Sequence, residues 1–439
     1  MNWIPGLNIG RKPRHPRPGL LLAAIMLASC TACGAPTPGS AAPTDPDRYR
    51  IDYEVRPDPG DGTVEVTLRL AQSRSLLREL RFSTGSHYSR IAGDGELSVD
   101  GGQVTWRPPT AGGSLRWRVE VGHRRNGDGF DAWLGPEWAL FRAEDIVPRA
   151  ATRTLKGASS ETWLNFELPE DWSVVTEYYD DNGRFRVDKA GRRFDQPSGW
   201  MVMGKLGVRR ETIAGSRVAV AGPVDQAVRR MDILAFMQWT LPELARVVPE
   251  LPHRLTIVSA GEPMWRGGLS APQSLFVHSD RPLISENATS TLLHELLHVS
   301  LGFTAVSGYD WILEGLAEYY SLELLRRSGS ISAERHELAL ADLLEWSSRA
   351  QGLCGPASTG ARTALAVMVF AALDREIRDK SGDAAGLDNV VRHLWGVPGD
   401  VDIGVLRNAA EAAAGAELDA LHIDSLPGCR SIGAATHTG

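Results

Sequence analysis

Residues 289–320 read TSTLLHELLHVSLGFTAVSGYDWILEGLAEYY. His294 and His298 stand four apart, so on a helix both imidazoles share one face, one turn above the other, close enough to grip one metal ion. Leu292, Leu293, Leu296, Leu297 and Val299 supply the apolar remainder of a buried helix, which Gly302 can end. Glu295, beside the first histidine, can reach a water at such an ion without binding the metal itself. This is the arrangement of a zinc hydrolase with Glu295 as general base.

A catalytic zinc site usually has three protein ligands and an open position, so a third donor should follow. Glu314 is the candidate, on a second helix that starts at Asp310 as N-cap and carries the periodic run Trp311, Ile312, Leu313, Leu316, Tyr319, Tyr320. Glu318, one turn later, shares its face and can accept the outer ring N–H of a liganding histidine. The competing reading is two ordinary amphipathic helices with solvated glutamates, because HExxH alone also occurs by chance.

HELLH followed by WILEGLAEYY resembles the gluzincin metallopeptidases, in which HExxH precedes a helix bearing W-x-x-E-G-x-x-x-Y. Within them the chain is most similar to the glycyl aminopeptidase family, with the aminopeptidase-N-like family second. The first resemblance extends to RGGLSAPQS (266–274), ALDREIRDKSGDAAGLDNVVRHLW (372–395) and AAAGAELDALHIDSLPG (412–428). It implies a multi-domain α+β protein, with an N-terminal all-β sandwich region before a thermolysin-like, mainly α catalytic domain. It also implies one Zn2+ per chain, held by His294, His298 and Glu314, and a peptide or protein substrate.

Gluzincins set an edge strand beside the zinc, where substrate backbone pairs by strand addition. Here that strand is Gly267, Gly268, Leu269 and Ser270, and the glycines allow close backbone approach. Both related families commonly carry a glutamate in this motif to hold a free amino terminus, whereas this chain continues Leu269, Ser270, Ala271. The choice between endo- and exopeptidase therefore stays open, with Glu262 an acidic residue a little upstream. The families also supply a tyrosine from the helical region to stabilise the oxyanion. No tyrosine follows Tyr320; Arg362 and Thr363 occupy the run where it is expected, and His336, His393 and His422 are possible replacements.

The 439 residues, 43% hydrophobic and 23% charged, have room for two or three domains with a sizeable core. Arg11, Lys12, Arg14 and Arg17 precede GLLLAAIMLAS, the layout of a secretory signal. Leu27-Ala28-Ser29-Cys30 resembles a lipoprotein processing site, with Cys30 as the lipid-modified first residue and Thr31 directing the chain to the outer membrane. The expected location is the cell envelope, as an outer-membrane lipoprotein facing periplasm or exterior; a secreted or periplasmic protein is the alternative. Losing residues 1–29 removes four positive and no negative charges, taking the formal net charge from −7 to −11. Such a surface argues against a nucleic-acid partner. Cys354 and Cys429 can pair in an oxidising compartment; two free thiols are the alternative.

The expected organisation is a leader at 1–30, a Pro/Ala/Thr/Gly/Ser-rich tether at 31–47, a β-rich region at 48–222, the catalytic domain at 223–430 and a tail at 431–439. Period-two runs such as RYRIDYEV, TVEVTLRLA and LRWRVEVG, separated by DPGDG and DGG, mark the β region. Trp133, Trp138, Trp163, Trp172 and Trp200 read as core or hairpin packing, with a carbohydrate- or peptide-binding face as the alternative. The functional expectation is zinc-dependent peptide hydrolysis by an exported, lipid-anchored enzyme. Its competitor is a weak or inactive gluzincin-like surface lipoprotein that binds peptides or envelope components. Oligomeric state is not legible.

Overall fold

In the strand Arg48–Asp58 the alternation of RYRIDYEV puts Tyr49, Ile51, Tyr53 and Val55 on a buried face. The computed structural model describes residues 43, 45–125, 129–178, 180–187, 194–422 and 426–429; the expected leader, Cys30 and the tail lie outside them. Ile51, Tyr53 and Val55 stand opposite Leu70, Leu68 and Val66 of Thr63–Ala71, cross-strand apolar pairs that fix the register. Arg48–Asp58 also pairs in parallel with Ser159–Phe166, at the centre of a seven-stranded sheet. A four-stranded sheet adds Leu80, Phe82, Val104 and Trp106 to the same core. These two sheets close on one core.

A five-stranded sheet forms the next layer. Its strands Trp138–Arg142 and Trp200–Gly204 turn Ala139, Phe141, Met201 and Met203 to the sandwich core. Trp138, Leu140, Trp200 and Val202 face the other way, against Val258, Ala260 and Phe276 of the following sheet. Both faces are covered, which is why WMVMG reads as a continuous apolar run.

The sheet of the helical half has the order Leu206–Ile213, Ser216–Pro223, Arg254–Ala260, Ser274–His278, Gly268–Ala271. Its middle strands are parallel and its outer pairs antiparallel. The change of pattern at Pro223 thus falls inside one sheet: Val218 and Val220 pair with Leu255 and Ile257. Strands 206–223 alternate like those before them, and only their pairing partner assigns them to the helical half. Parallel neighbours need a crossover, and the helix Arg230–Val247 provides it between Ser216–Pro223 and Arg254–Ala260.

Helices pack on the face carrying Val218, Leu255, Leu275 and Val277. Thr291–Ser300 bears the histidines and Asp310–Arg327 bears Glu314. Asp310 is the first residue of its helix rather than the cap, which is Tyr309; the Asp310 carboxylate instead accepts the Ser358 N–H at 2.8 Å. Gly315 lets the helix Ala361–Ser381 come close, since a Cβ there would sit 2.5 Å from that of Ala366.

Cys354 and Cys429 are joined, 75 residues apart. The bond ties the loop before Ala361–Ser381 to the end of the described chain, and Leu353 N donates to Pro427 O at 2.7 Å beside it. A Cys354→Ser/Cys429→Ser protein should lose about 2–5 kcal/mol of unfolding free energy. Denaturant titration with and without reductant checks this, because reduction should bring wild type down to the variant and leave the variant unmoved.

Candidate metal centre

Ser290 caps the histidine helix by accepting the Leu293 N–H at 3.3 Å. Leu292, Leu293, Leu296 and Leu297 anchor its buried side. The imidazoles of His294 and His298 emerge one turn apart on the opposite side, ring centroids 4.8 Å apart. Their Nε2 atoms are 3.1 Å apart. The Glu314 carboxylate reaches both, Oε2 at 3.3 Å from His294 Nε2 and Oε1 at 3.4 Å from His298 Nε2. One donor atom from each residue lies within 4.8 Å of the other two. Among the described residues this is the one His/Cys/Asp/Glu group of three or more able to share an ion.

Glu318 Oε2 lies 2.9 Å from His294 Nδ1. In the neutral ring, a proton on Nδ1 donated to Glu318 leaves the Nε2 lone pair facing the cluster, the tautomer a ligand needs. Burial alone would lower the His294 pKa, but hydrogen bonds to Glu314 and Glu318 outweigh it and hold the imidazole well above its ordinary value. Burial would raise Glu314, and the two histidines reverse that and hold its carboxyl low. Two imidazoles and a carboxylate facing a common point, with the outer face of one imidazole fixed, fit zinc in donor type and number.

Glu295 projects to the sheet side. Burial raises its carboxyl above the usual carboxylate range, and the Ser270 hydroxyl and the two histidines oppose that rise. A Cβ on Gly268 would lie 2.7 Å from Glu295 Cγ and 2.6 Å from Thr291 Cγ2, so glycine is what lets the strand Gly268–Ala271 touch the helix. That strand is at the sheet edge. His278 N donates to Gly267 O at 3.0 Å. Antiparallel alternation then turns the main-chain N–H and C=O of Gly268 and Ser270 away from Ser274–His278, toward the unoccupied edge. Leu269 points to the opposite face, and its carbonyl accepts the Trp200 indole N–H at 2.9 Å.

The residues weighed as oxyanion donors are engaged elsewhere. His336 Nε2 lies 3.4 Å from Glu323 Oε1, and His393 Nδ1 bonds Asn389 O in its own helix. Arg362 binds the carbonyls of Gly352 and Ala357, Thr363 faces the Ser358 hydroxyl, and His422 lies on the surface. Glu262 pairs with Arg266 at 2.8 Å. Trp138 and Trp200 are core residues, whereas Trp163 carries the guanidinium of Arg184 at 4.4 Å.

The helix of Glu314 is braced at its far end by an ion-pair network. Glu323 pairs with Arg326 and Arg327, and Arg327 with Asp388, which also accepts the Tyr320 hydroxyl at 2.9 Å. Burial would raise the Glu323 and Asp388 carboxyls, but Arg326 in the first case and Arg327 in the second hold both below their ordinary values. A carboxyl depressed in the folded state stabilises above its unfolded pKa, about 4, and that contribution is lost as pH falls through the folded value. Unfolding free energy should therefore drop between about pH 5 and pH 3. Glu323→Gln should cost on the order of 1–3 kcal/mol at pH 7 and flatten the acid limb in denaturant titrations.

No family model and no curated protein matches the chain. Solved structures do. An aminopeptidase N family protein from Idiomarina loihiensis is similar over 82% of this chain and 75% of its own, at 16% identity and a TM-score of 0.62. An M1 zinc metallopeptidase from Deinococcus radiodurans, in a mutant form bound to a Tyr-Ser-Ala substrate, is similar over 86% and 92%, at 17% identity and a TM-score of 0.55. Legionella pneumophila aminopeptidase A in complex with aspartic acid is similar over 84% of this chain and 48% of its own, at 12% identity and a TM-score of 0.53. The chain therefore shares the mixed α+β fold of these structures.

Proposed function

We propose that this chain is a zinc-dependent peptidase. The observation that carries the reading is the convergence of His294, His298 and Glu314, with Glu295 next to an open sheet edge. His294, His298 and Glu314 hold the zinc. Bound there, zinc supplies Lewis acidity toward a carbonyl and makes water a better nucleophile near neutral pH. The peptide lies along Gly268–Ala271, where the outward main-chain groups of Gly268 and Ser270 pair with its backbone. Glu295 accepts the proton of the attacking water and returns it to the departing amine, a task suited to a carboxylate whose pKa burial has raised.

Zinc content by elemental analysis, together with a peptide-library digest with and without chelator, tests this. Cleavage that stops with chelator and returns with zinc is expected; stoichiometric zinc without cleavage would favour a peptide-binding protein. The lack of any tyrosine beyond Tyr320 is the observation behind that second reading. The glycyl aminopeptidase resemblance is the finer assignment we infer. The basic and apolar leader and Cys30 support export to the cell envelope with an N-terminal lipid anchor. Among the described residues no helix is long and apolar enough to cross a membrane.

A further inference from the structure

The edge strand begins beside an unusual shelf. A Cβ on Gly267 would fall 2.0 and 2.1 Å from Cζ3 and Cη2 of Trp265, so the indole folds back onto the residue that precedes Gly268. The same indole carries the guanidinium of Arg125, whose central carbon is 4.5 Å from the ring centroid. Main-chain bonds fix both partners. Phe130 N donates to Pro263 O at 3.0 Å, Trp265 N to Phe130 O at 2.8 Å, and Arg125 N to Gly129 O at 2.8 Å. Gly129 admits this approach, because a Cβ there would lie 2.7 Å from Trp265 Cα. The Arg125 turn is thus tied to the segment that launches the edge strand.

Charge is distributed unevenly around this shelf. Arg266 is neutralised by Glu262 at 2.8 Å and Asp280 at 3.6 Å. Arg125 is half-buried, and among the described residues no carboxylate pairs with it. Arg124 stacks on Phe130 at 4.5 Å. In a chain of formal net charge −7, a stacked guanidinium that no described carboxylate pairs with, beside a peptide-pairing edge, is suited to receive an anion.

We propose that Arg125, held on Trp265, binds a carboxylate of the peptide lying along Gly268–Ala271, making the site selective for anionic peptides. The inference rests on the peptide-binding edge assigned above. From Glu295 the path runs through Gly268, Gly267 and the indole to Arg125. The carboxylate therefore lies toward the Gly267 end of the paired peptide. It is either an acidic side chain or the terminal carboxylate; planar bidentate pairing with guanidinium serves both.

The test uses zinc-loaded Glu295→Gln protein and four labelled forms of one peptide: Glu or Gln near the reacting bond, each with a free or amidated C-terminus. Binding is read by fluorescence anisotropy, and turnover by wild type is followed on the same set. Removing the preferred carboxylate should weaken binding by about tenfold to a hundredfold. Adding Arg125→Gln should shrink that ratio to near one, with zinc content and melting temperature retained; Arg125→Lys, charged but poorly stacked, should fall between. The arm whose ratio collapses identifies the source, side chain or terminus. Equal affinity for all four forms, no binding of any, or a ratio untouched by Arg125→Gln overturns the proposal. Should Arg125→Gln misfold, a wild-type ratio in Arg125→Lys does the same. Carboxylate-selective binding without wild-type turnover would instead sink the peptidase reading and leave this one standing.

Discussion

Zinc-loaded Glu295→Gln protein is expected to bind metal like wild type and to lose peptide turnover by about a hundredfold to ten-thousandfold. The amide keeps the shape that fits against Gly268 but cannot take a proton. Glu295 is not among the three converging donors, so metal content should not follow activity down. Elemental analysis beside kcat/KM separates the two effects. A variant cleaving at the wild-type rate would remove Glu295 from the chemistry, and one that lost zinc would make it a ligand.

Glu314→Ala should have the opposite signature, losing metal first and activity as a consequence. Its carboxylate touches both imidazoles, and two histidines four residues apart leave the site a ligand short. Glu318→Gln is the graded comparison: it disturbs only the outer hydrogen bond of His294 and should weaken zinc binding by about tenfold to a hundredfold. Glu314→Ala should fall below that, measured by competition with a chromogenic chelator. Equal zinc affinity in wild type and Glu314→Ala would exclude the carboxylate from the ion.

The histidine pair and its glutamates were legible because a helix converts spacing into geometry: four residues make one turn, so His294 and His298, and Glu314 and Glu318, had to share faces. Most helices of the second half announced themselves in the same way. Contacts between distant segments were not legible. Nothing in the letters places Arg125 on Trp265, or Trp200 under Leu269, because contacts between residues 69 or more apart leave no local period. The middle sheet has no signature of its own for a related reason, since a strand covered on both faces loses its alternation. Strands 206–223 look like those before them because an alternating strand does not reveal its neighbour. Asp310 looked like a cap by residue type, and its carboxylate went to Ser358 instead.

The layer formed by Trp138–Arg142 and Trp200–Gly204 bears on how the two halves of the chain hold together. Jaw-like enzymes swing two bodies about a thin seam, but here the seam is a tryptophan-bearing apolar slab packed into a core on each side. Opening it would expose Trp200, Phe276 and Val258 to water together. The sandwich and the sheet that carries Gly268–Ala271 are consequently set against each other when the chain folds.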